Sequence, residues 1–261
     1  MGDAKKEIIA DSKKFDNFLD STKAVAFADL HIHSKYSRAT SSNLSFENLV
    51  KWARIKGINL LGTGDFTHPK WLEEIEKLKE EKGIYYFDNF PFILSGEISL
   101  IYTQMRGRRV HLVLLAPSIE VVEKINAYLD TKGRRDYDGR PIFKISCEEF
   151  VREMKNIDEK IEVICAHSWT PWFGVFGSES GFDSLKEAFG EQEKNIHAIE
   201  TGMSSNPLMN WQIKELNNKT IVSFSDSHSF WPFRLGREAT IFSEIKSYDD
   251  LIKQIRENSI L

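Results

Sequence analysis

Two cysteines, Cys147 and Cys165, are too few for a disulfide framework or a four-cysteine zinc site, so a reducing compartment is the expected setting. No run approaches the roughly 18 to 20 apolar residues needed to cross a bilayer, and the charged start Met1–Glu7 leads into no signal-like apolar segment. A cytoplasmic protein without membrane contact is expected. Excess positive charge is lacking as well: 35 Lys and Arg against 39 Asp and Glu give a net −4, so any contact with nucleic acid must come from local patches. The chain contains neither a Gly-x-Ser-x-Gly nucleophile elbow nor a glycine-rich phosphate loop with its lysine, which argues against a serine esterase and a P-loop kinase.

What is present is histidine beside carboxylate. Six of the seven histidines fall in short clusters: His31-Ile32-His33, Asp65 with His68, Glu97 followed by His111, then His167, then Asp226-Ser227-His228. Each cluster closes an apolar, strand-like run, such as Ala24–Leu30 or Thr220–Ser225. Residues distant in sequence can then converge at one end of a parallel sheet, where active sites form. Imidazole and carboxylate together suit zinc, iron or manganese, whereas magnesium and calcium prefer all-oxygen sites. A single histidine would more often be a hydrogen-bonded structural residue, but five clusters at strand-to-loop junctions point to a multinuclear metal site. His197, which precedes a strand, is read as structural.

Strand and helix patterns alternate along the chain, and one domain over 1–261 is expected, with residues 1–23 as a charged N-terminal helical extension. Leu44–Ala53 reads as a helix with Ser45 as N-cap and Gly57 as its stop before a strand over 58–63. Further helices are expected over 69–82, 118–131, 146–157 and 207–217, and from Tyr248 onward. Strands are expected over 92–102, 110–116, 161–166, 196–200, 220–225 and 239–242, with a hairpin turn at 105–109 that places Glu97 and His111 on neighbouring strands.

The order His31-x-His33, Asp65 with His68, Gly96-Glu97, His111, His167 and Asp226-x-His228 resembles the PHP (polymerase and histidinol phosphatase) family of metal-dependent phosphoesterases over nearly the whole chain. The resemblance implies an α/β fold, a distorted TIM-like (β/α)7 barrel of the PHP type, holding two or three divalent transition metals. It assigns His31, His33, Glu97 and Asp226 to one metal, with Glu97 bridging to a second held by His111 and His167. Asp65, His68 and His228 would bind a third. The second motif departs from the family pattern, because Phe66 follows the aspartate and the histidine is displaced to position 68. That departure, the stretch 61–69, the aromatic segment 166–183 and Glu200–Pro207 together resemble the endonuclease Q branch, which cuts DNA beside deaminated bases. The cysteine zinc region of that branch has no counterpart here.

The reaction expected from the resemblance is in-line attack of metal-activated hydroxide on phosphorus, centred on Asp226, Glu97 and His33. Lys35, Arg38, Arg234 and Arg237 lie close to the metal motifs and are candidates for phosphate binding, with Arg38 preferred; the alternative is that they are solvated surface charges. Glu200 is a candidate partner for a ligand histidine. Trp169, Trp172, Phe173 and Phe176 can either fill the core or stack on an extruded base. The arginines of the 134–140 loop, with Arg106, Arg108 and Arg109, are further candidate phosphate contacts. The substrate expected is DNA, with a small phosphomonoester as the alternative and a non-catalytic structural module as the alternative of another class. Composition says nothing of oligomeric state.

Overall fold

The computed structural model describes residues 25–261, so the expected N-terminal helix lies outside the described residues. Its strands are β1 (Ala26–Asp29), β2 (Leu60–Gly62), β3 (Lys79–Glu81), β4 (Ile84–Phe87), β5 (Phe90–Gln104), β6 (Arg106–Ala116), β7 (Ile142–Phe143), β8 (Glu162–Cys165), β9 (Ala198–Glu200), β10 (Thr220–Val222) and β11 (Thr240–Phe242). The helices are α1 (Phe46–Lys56), α2 (Pro69–Ile75), α3 (Ile119–Asp130), α4 (Cys147–Ile157), α5 (Leu185–Phe189), α6 (Pro207–Asn210) and α7 (Tyr248–Arg256).

Seven strands run side by side in the order β10-β9-β8-β6-β5-β2-β1, with β11 antiparallel on the outer edge of β1. All are parallel except β6, which pairs antiparallel with both β5 and β8. Just beyond the strand ends a parallel bridge joins Ile32 to Ser227, and the His33 N–H donates to the Ser227 carbonyl at 2.9 Å. The sheet therefore curls into a nearly closed barrel of the expected distorted (β/α)7 kind. Its closing seam lies between the two segments that carry His31-x-His33 and Asp226-x-His228.

Alternation along the strands divides the apolar side chains into two layers. Ala28, Ile93, Val113, Ile164, Ala198 and Val222 point inward and pack with Leu251, Ile252 and Ile255 of α7, which plugs one end. Leu94, Ile98, Leu112, Leu114 and Val163 point outward against α3 and α4. The same parity turns Glu97 and His111 inward, because they stand even numbers of residues from Ile93 and Val113 on paired strands.

Helix ends follow their caps. Ser45, Ser118 and Ser146 accept backbone N–H groups at the starts of α1, α3 and α4, and Gly57 ends α1 at φ 85°. Two expected helices are shorter than their patterns. The one over 69–82 stops at Ile75, and its remainder becomes the β3–β4 hairpin, turned by Lys82 and Gly83 at positive φ. The one over 207–217 stops at Asn210 and continues as a 3-10 turn at Lys214–Leu216. Among the described residues no helix is long and apolar enough to cross a membrane.

Candidate metal centre

The inward-facing polar residues meet at the C-terminal end of the parallel strands. His31 and His33 flank Ile32, which packs in the outer layer, so the two imidazoles share the inner side, as residues two apart on an extended segment do. His167, Asp65 and Asp226 each follow a parallel strand and adopt φ of 29°, 45° and 47°. Such left-handed turns are costly for side-chain-bearing residues and are held here by the surrounding packing. Gly202, itself at positive φ, makes room for this turn, since a Cβ there would collide with His167.

Two groups of metal-capable atoms result. His31, His33, Glu97 and Asp226 each bring one ligand atom to within 4.8 Å of the others, and so do Glu97, His111 and His167. Glu97 is common to both. Its Oε2 lies 3.2 Å from His33 Nε2 and 3.5 Å from His31 Nε2, while its Oε1 lies 2.8 Å from His111 Nδ1 and 3.2 Å from His167 Nε2. Asp226 Oδ1 is 3.1 Å from His33 Nε2 and 3.6 Å from His31 Nε2.

The donor set fits divalent ions. His31 Nε2 is buried and has no hydrogen-bond partner, although it faces two carboxylates. His111 Nδ1 and His167 Nε2 sit 3.1 Å apart on the same carboxylate oxygen. Crowded nitrogens and carboxylate oxygens of this kind are what a shared cation satisfies and hydrogen bonds do not.

A surrounding layer of carboxylates sets the imidazoles. Glu200 accepts from His31 Nδ1 at 3.0 Å and from the His167 backbone N–H at 2.6 Å, which leaves His31 Nε2 free to face the centre. Asp65 does the same for His33: it accepts from His33 Nδ1 at 2.9 Å, the Ser34 N–H at 2.6 Å and Ser37 Oγ at 2.8 Å. Gly139 packs so tightly on Asp65 that a Cβ would collide with its carboxylate.

Burial pushes His111 down to about 4, which keeps it neutral and able to ligate. Burial also disfavours charge on His31 and His33, but the carboxylates outweigh it and raise both imidazoles well above their ordinary value: Glu200, Glu97 and Asp226 for His31, and Asp65 first for His33. Burial would likewise raise Glu97, yet His111, Arg140 and His31 hold it well below the usual carboxylate range. The carboxylates of the centre are thus held ionised, and a cation bound there would take the place of the protons they favour on His31 and His33.

The other expected residues divide. Among the described residues Asp65, His68 and His228 are not one of the groups whose atoms come within 4.8 Å of one another, and Asp65 is engaged by His33, Ser34 and Ser37. His68 begins α2 and stacks on Tyr36 at 4.4 Å, with its Nδ1 buried and unpartnered. His228 packs 4.4 Å from the ring of His33. Lys35 pairs with Glu74 at 2.9 Å, and the Arg38 side chain is 72% exposed beside Asp138. Arg234 and Arg237 line a cavity with Asp226 and His228. Trp169 donates to Asn210 Oδ1 and stacks on Phe176, whereas Trp172 lines a cavity with His111 and His167. Arg108 is buried against Glu187 and Phe182, so it serves packing rather than a free phosphate.

Arg140 stands out from its loop. Its guanidinium lies 3.1 Å from Glu97 Oε2 and lines the cavity of His111, His167 and Asp226. In sequence it is one of several loop arginines; the available signal is the short strand β7 directly after Pro141, which pairs with β5 and ties this end of the loop beside Glu97.

A nearly closed seven-stranded barrel carrying a carboxylate-linked imidazole centre at its C-terminal end defines the class: this is a PHP-type fold. The chain resembles archaeal endonuclease Q in both sequence and structure. The lesion-specific endonuclease Q of Pyrococcus furiosus superimposes with a TM-score of 0.80 and 33% identity, covering 89% of this chain and 56% of that one. A complex of endonuclease Q with a 27-mer duplex substrate bearing an abasic lesion at its active site gives 0.80 and 32% over the same shares. An uncharacterized protein of Methanocaldococcus jannaschii is 36% identical over 134 residues, 51% of this chain and 15% of that protein. YqxK of Bacillus subtilis, also uncharacterized, is 25% identical over 232 residues, 81% of this chain and 57% of that one. The chain therefore spans less than two thirds of each of these relatives. No family model matches it.

Proposed function

We propose that this chain is the catalytic domain of a metal-dependent phosphodiesterase that cuts DNA. The observation that carries the reading is Glu97, a single buried carboxylate shared by two groups of candidate ligands in a fold like that of endonuclease Q. His31, His33 and Asp226 would hold one ion and His111 and His167 the other, with Glu97 between them. Divalent zinc, manganese or iron bound there would acidify water and polarise the phosphoryl group for in-line attack.

The chain's own residues prepare that step. Glu200 and Asp65 fix the ring orientation of His31 and His33, Glu200 also holds the backbone of His167, and Thr170 Oγ1 sets the His167 ring at Nδ1, so the cluster needs little rearrangement on loading. Arg140, at the edge of the cavity, presents a planar fork suited to a non-bridging phosphate oxygen. DNA is favoured over a small phosphomonoester by the likeness to an endonuclease solved with a duplex substrate. Deaminated bases are the lesions that the sequence resemblance nominates.

The test is one assay series. Metal-stripped protein is given manganese or zinc, then offered duplexes containing uracil or hypoxanthine, an undamaged duplex and a panel of phosphomonoesters. Metal-dependent nicking of the damaged duplexes is expected. Turnover of phosphomonoesters alone would overturn the DNA reading, and no turnover of any phosphoester would overturn the enzyme reading.

A further inference from the structure

Two cavities meet at Asp226, which lines both. One, of about 340 Å3, is walled by His111, His167, Arg140 and Trp172; the other, of about 530 Å3, by His228, Phe233, Arg234 and Arg237. Both fall within the roughly 300–1,000 Å3 usual for ligand sites. Each ends on an aromatic ring that the fold leaves open: Trp172 is 49% exposed and Phe233 is 68% exposed. An arginine backs each ring, Arg109 at 4.8 Å from Trp172 and Arg234 at 5.8 Å from Phe233. Packing accounts for neither ring. Seven of the thirteen large apolar side chains exposed among the described residues come from the three connections that follow β8, β9 and β10, α6 included, on the side of the barrel that carries the centre.

The charge lining these cavities selects the occupant. They are lined by three arginines, of which Arg140 also contacts Glu97, and by a single carboxylate, Asp226, itself a candidate ligand, in a chain whose net charge is −4. A locally cationic groove with open aromatic platforms matches a polyanion that carries planar rings, since arginine holds phosphate while every nucleobase offers a face for stacking. A phosphomonoester has a substituent on one side of phosphorus only and would leave one arm idle.

We propose that one nucleic-acid strand lies across the metal centre, with the nucleotide on one side of the reacting phosphate stacked on Trp172 and the nucleotide on the other side stacked on Phe233. Arg140 engages the backbone in the first arm, and Arg234 and Arg237 engage it in the second. This deepens the phosphodiesterase reading and rests on it.

The probe is a short fluorescein-labelled single-stranded oligonucleotide, whose anisotropy is titrated with the full chain in EDTA so that binding is read without cleavage. Trp172→Ala and Phe233→Ala are each expected to weaken binding about tenfold, the scale of one lost stacking contact. Trp211→Ala is the control, because Trp211 is 56% exposed yet lines neither cavity; it should stay within about twofold, and its substitution should leave cleavage unchanged. Arg234→Ala should reduce the slope of log affinity against log salt by about 0.7, as expected for one lost phosphate contact on a single strand. Thermal midpoints of all variants near that of the parent confirm that the fold is kept. Unchanged binding in both ring variants, or an equal loss in Trp211→Ala, overturns the two-armed cleft even where metal-dependent cleavage persists. Conversely, ring-dependent strand binding by a chain that cuts no phosphodiester keeps the cleft and overturns the enzymatic reading.

Discussion

At the N-terminal ends of β8 and β9, Glu162 takes His197 Nδ1 on one oxygen at 2.6 Å and Arg256 Nε on the other at 2.9 Å, with Lys155 3.9 Å away. At the opposite end of the same strands, His31, His33, His111 and His167 crowd round Glu97, with Asp226 beside His31 and His33, and His31 Nε2 is left without a hydrogen-bond partner. Both clusters are histidine with carboxylate, and both are largely buried. The first balances one carboxylate against basic groups and so stabilises the fold. The second gathers carboxylates and lone pairs beyond what hydrogen bonding satisfies, and it relies on left-handed backbone at Asp65, His167 and Asp226. A surplus of candidate ligand atoms, rather than the presence of histidine, distinguishes the end to which the proposed chemistry is assigned.

The contrast is broken most directly by substituting Asp226. Asp226→Asn should lower phosphodiester turnover about a thousandfold, equivalent to ~4 kcal/mol of barrier. Its thermal midpoint in EDTA should fall somewhat, because against the cost of burial His31 and His33 hold the Asp226 carboxylate well below its usual range in the folded state, and that contribution is lost on neutralisation. Unimpaired turnover would refute its role. Glu200→Gln should weaken metal binding about 10- to 100-fold, the usual consequence of losing a carboxylate that orients a ligand histidine; calorimetric titration with manganese or zinc reads it, and unchanged affinity would make Glu200 merely structural.

The N-terminal cluster should respond in the opposite sense. His197→Ala should cost about 1–3 kcal/mol of stability in denaturant titration, by leaving one oxygen of buried Glu162 short of a donor, while turnover stays near the parent's. Lost turnover at unchanged stability would erase the distinction between the two ends. The smallest effects separate two arginines. Arg140→Ala should raise KM about tenfold through loss of a charge-assisted contact, whereas Arg38→Ala should change kcat/KM by less than about twofold, as exposed ion pairs generally do.

Much of this centre is legible in the sequence because most of its candidate ligands close recognisable apolar runs: the strands ending before His31, His167 and Asp226, and the hairpin that pairs Glu97 with the strand of His111, are where the patterns put them. The capped helix α1, with Ser45 and Gly57, is equally plain. Less legible is what depends on side-chain partners across the barrel. Asp65 matches a family motif position, yet the loop 34–37 wraps round its carboxylate, and sequence spacing cannot show that enclosure. Arg38 lies near a motif in sequence but points to solvent, while Arg140, far from any motif, is brought to Glu97 by the pairing of β7 with β5. The helix expected over 69–82 ends early because Gly83 turns the chain back against Tyr248, a contact made from the far end of the sequence.

The central claim is that Glu97 joins two metal sites. Metal-stripped protein titrated with manganese or zinc, and assayed for bound metal per chain, should take up at least two ions, whereas Glu97→Gln should retain fewer than one at the same free concentration. Equal metal content in the parent and Glu97→Gln, or no binding by the parent, would contradict the account.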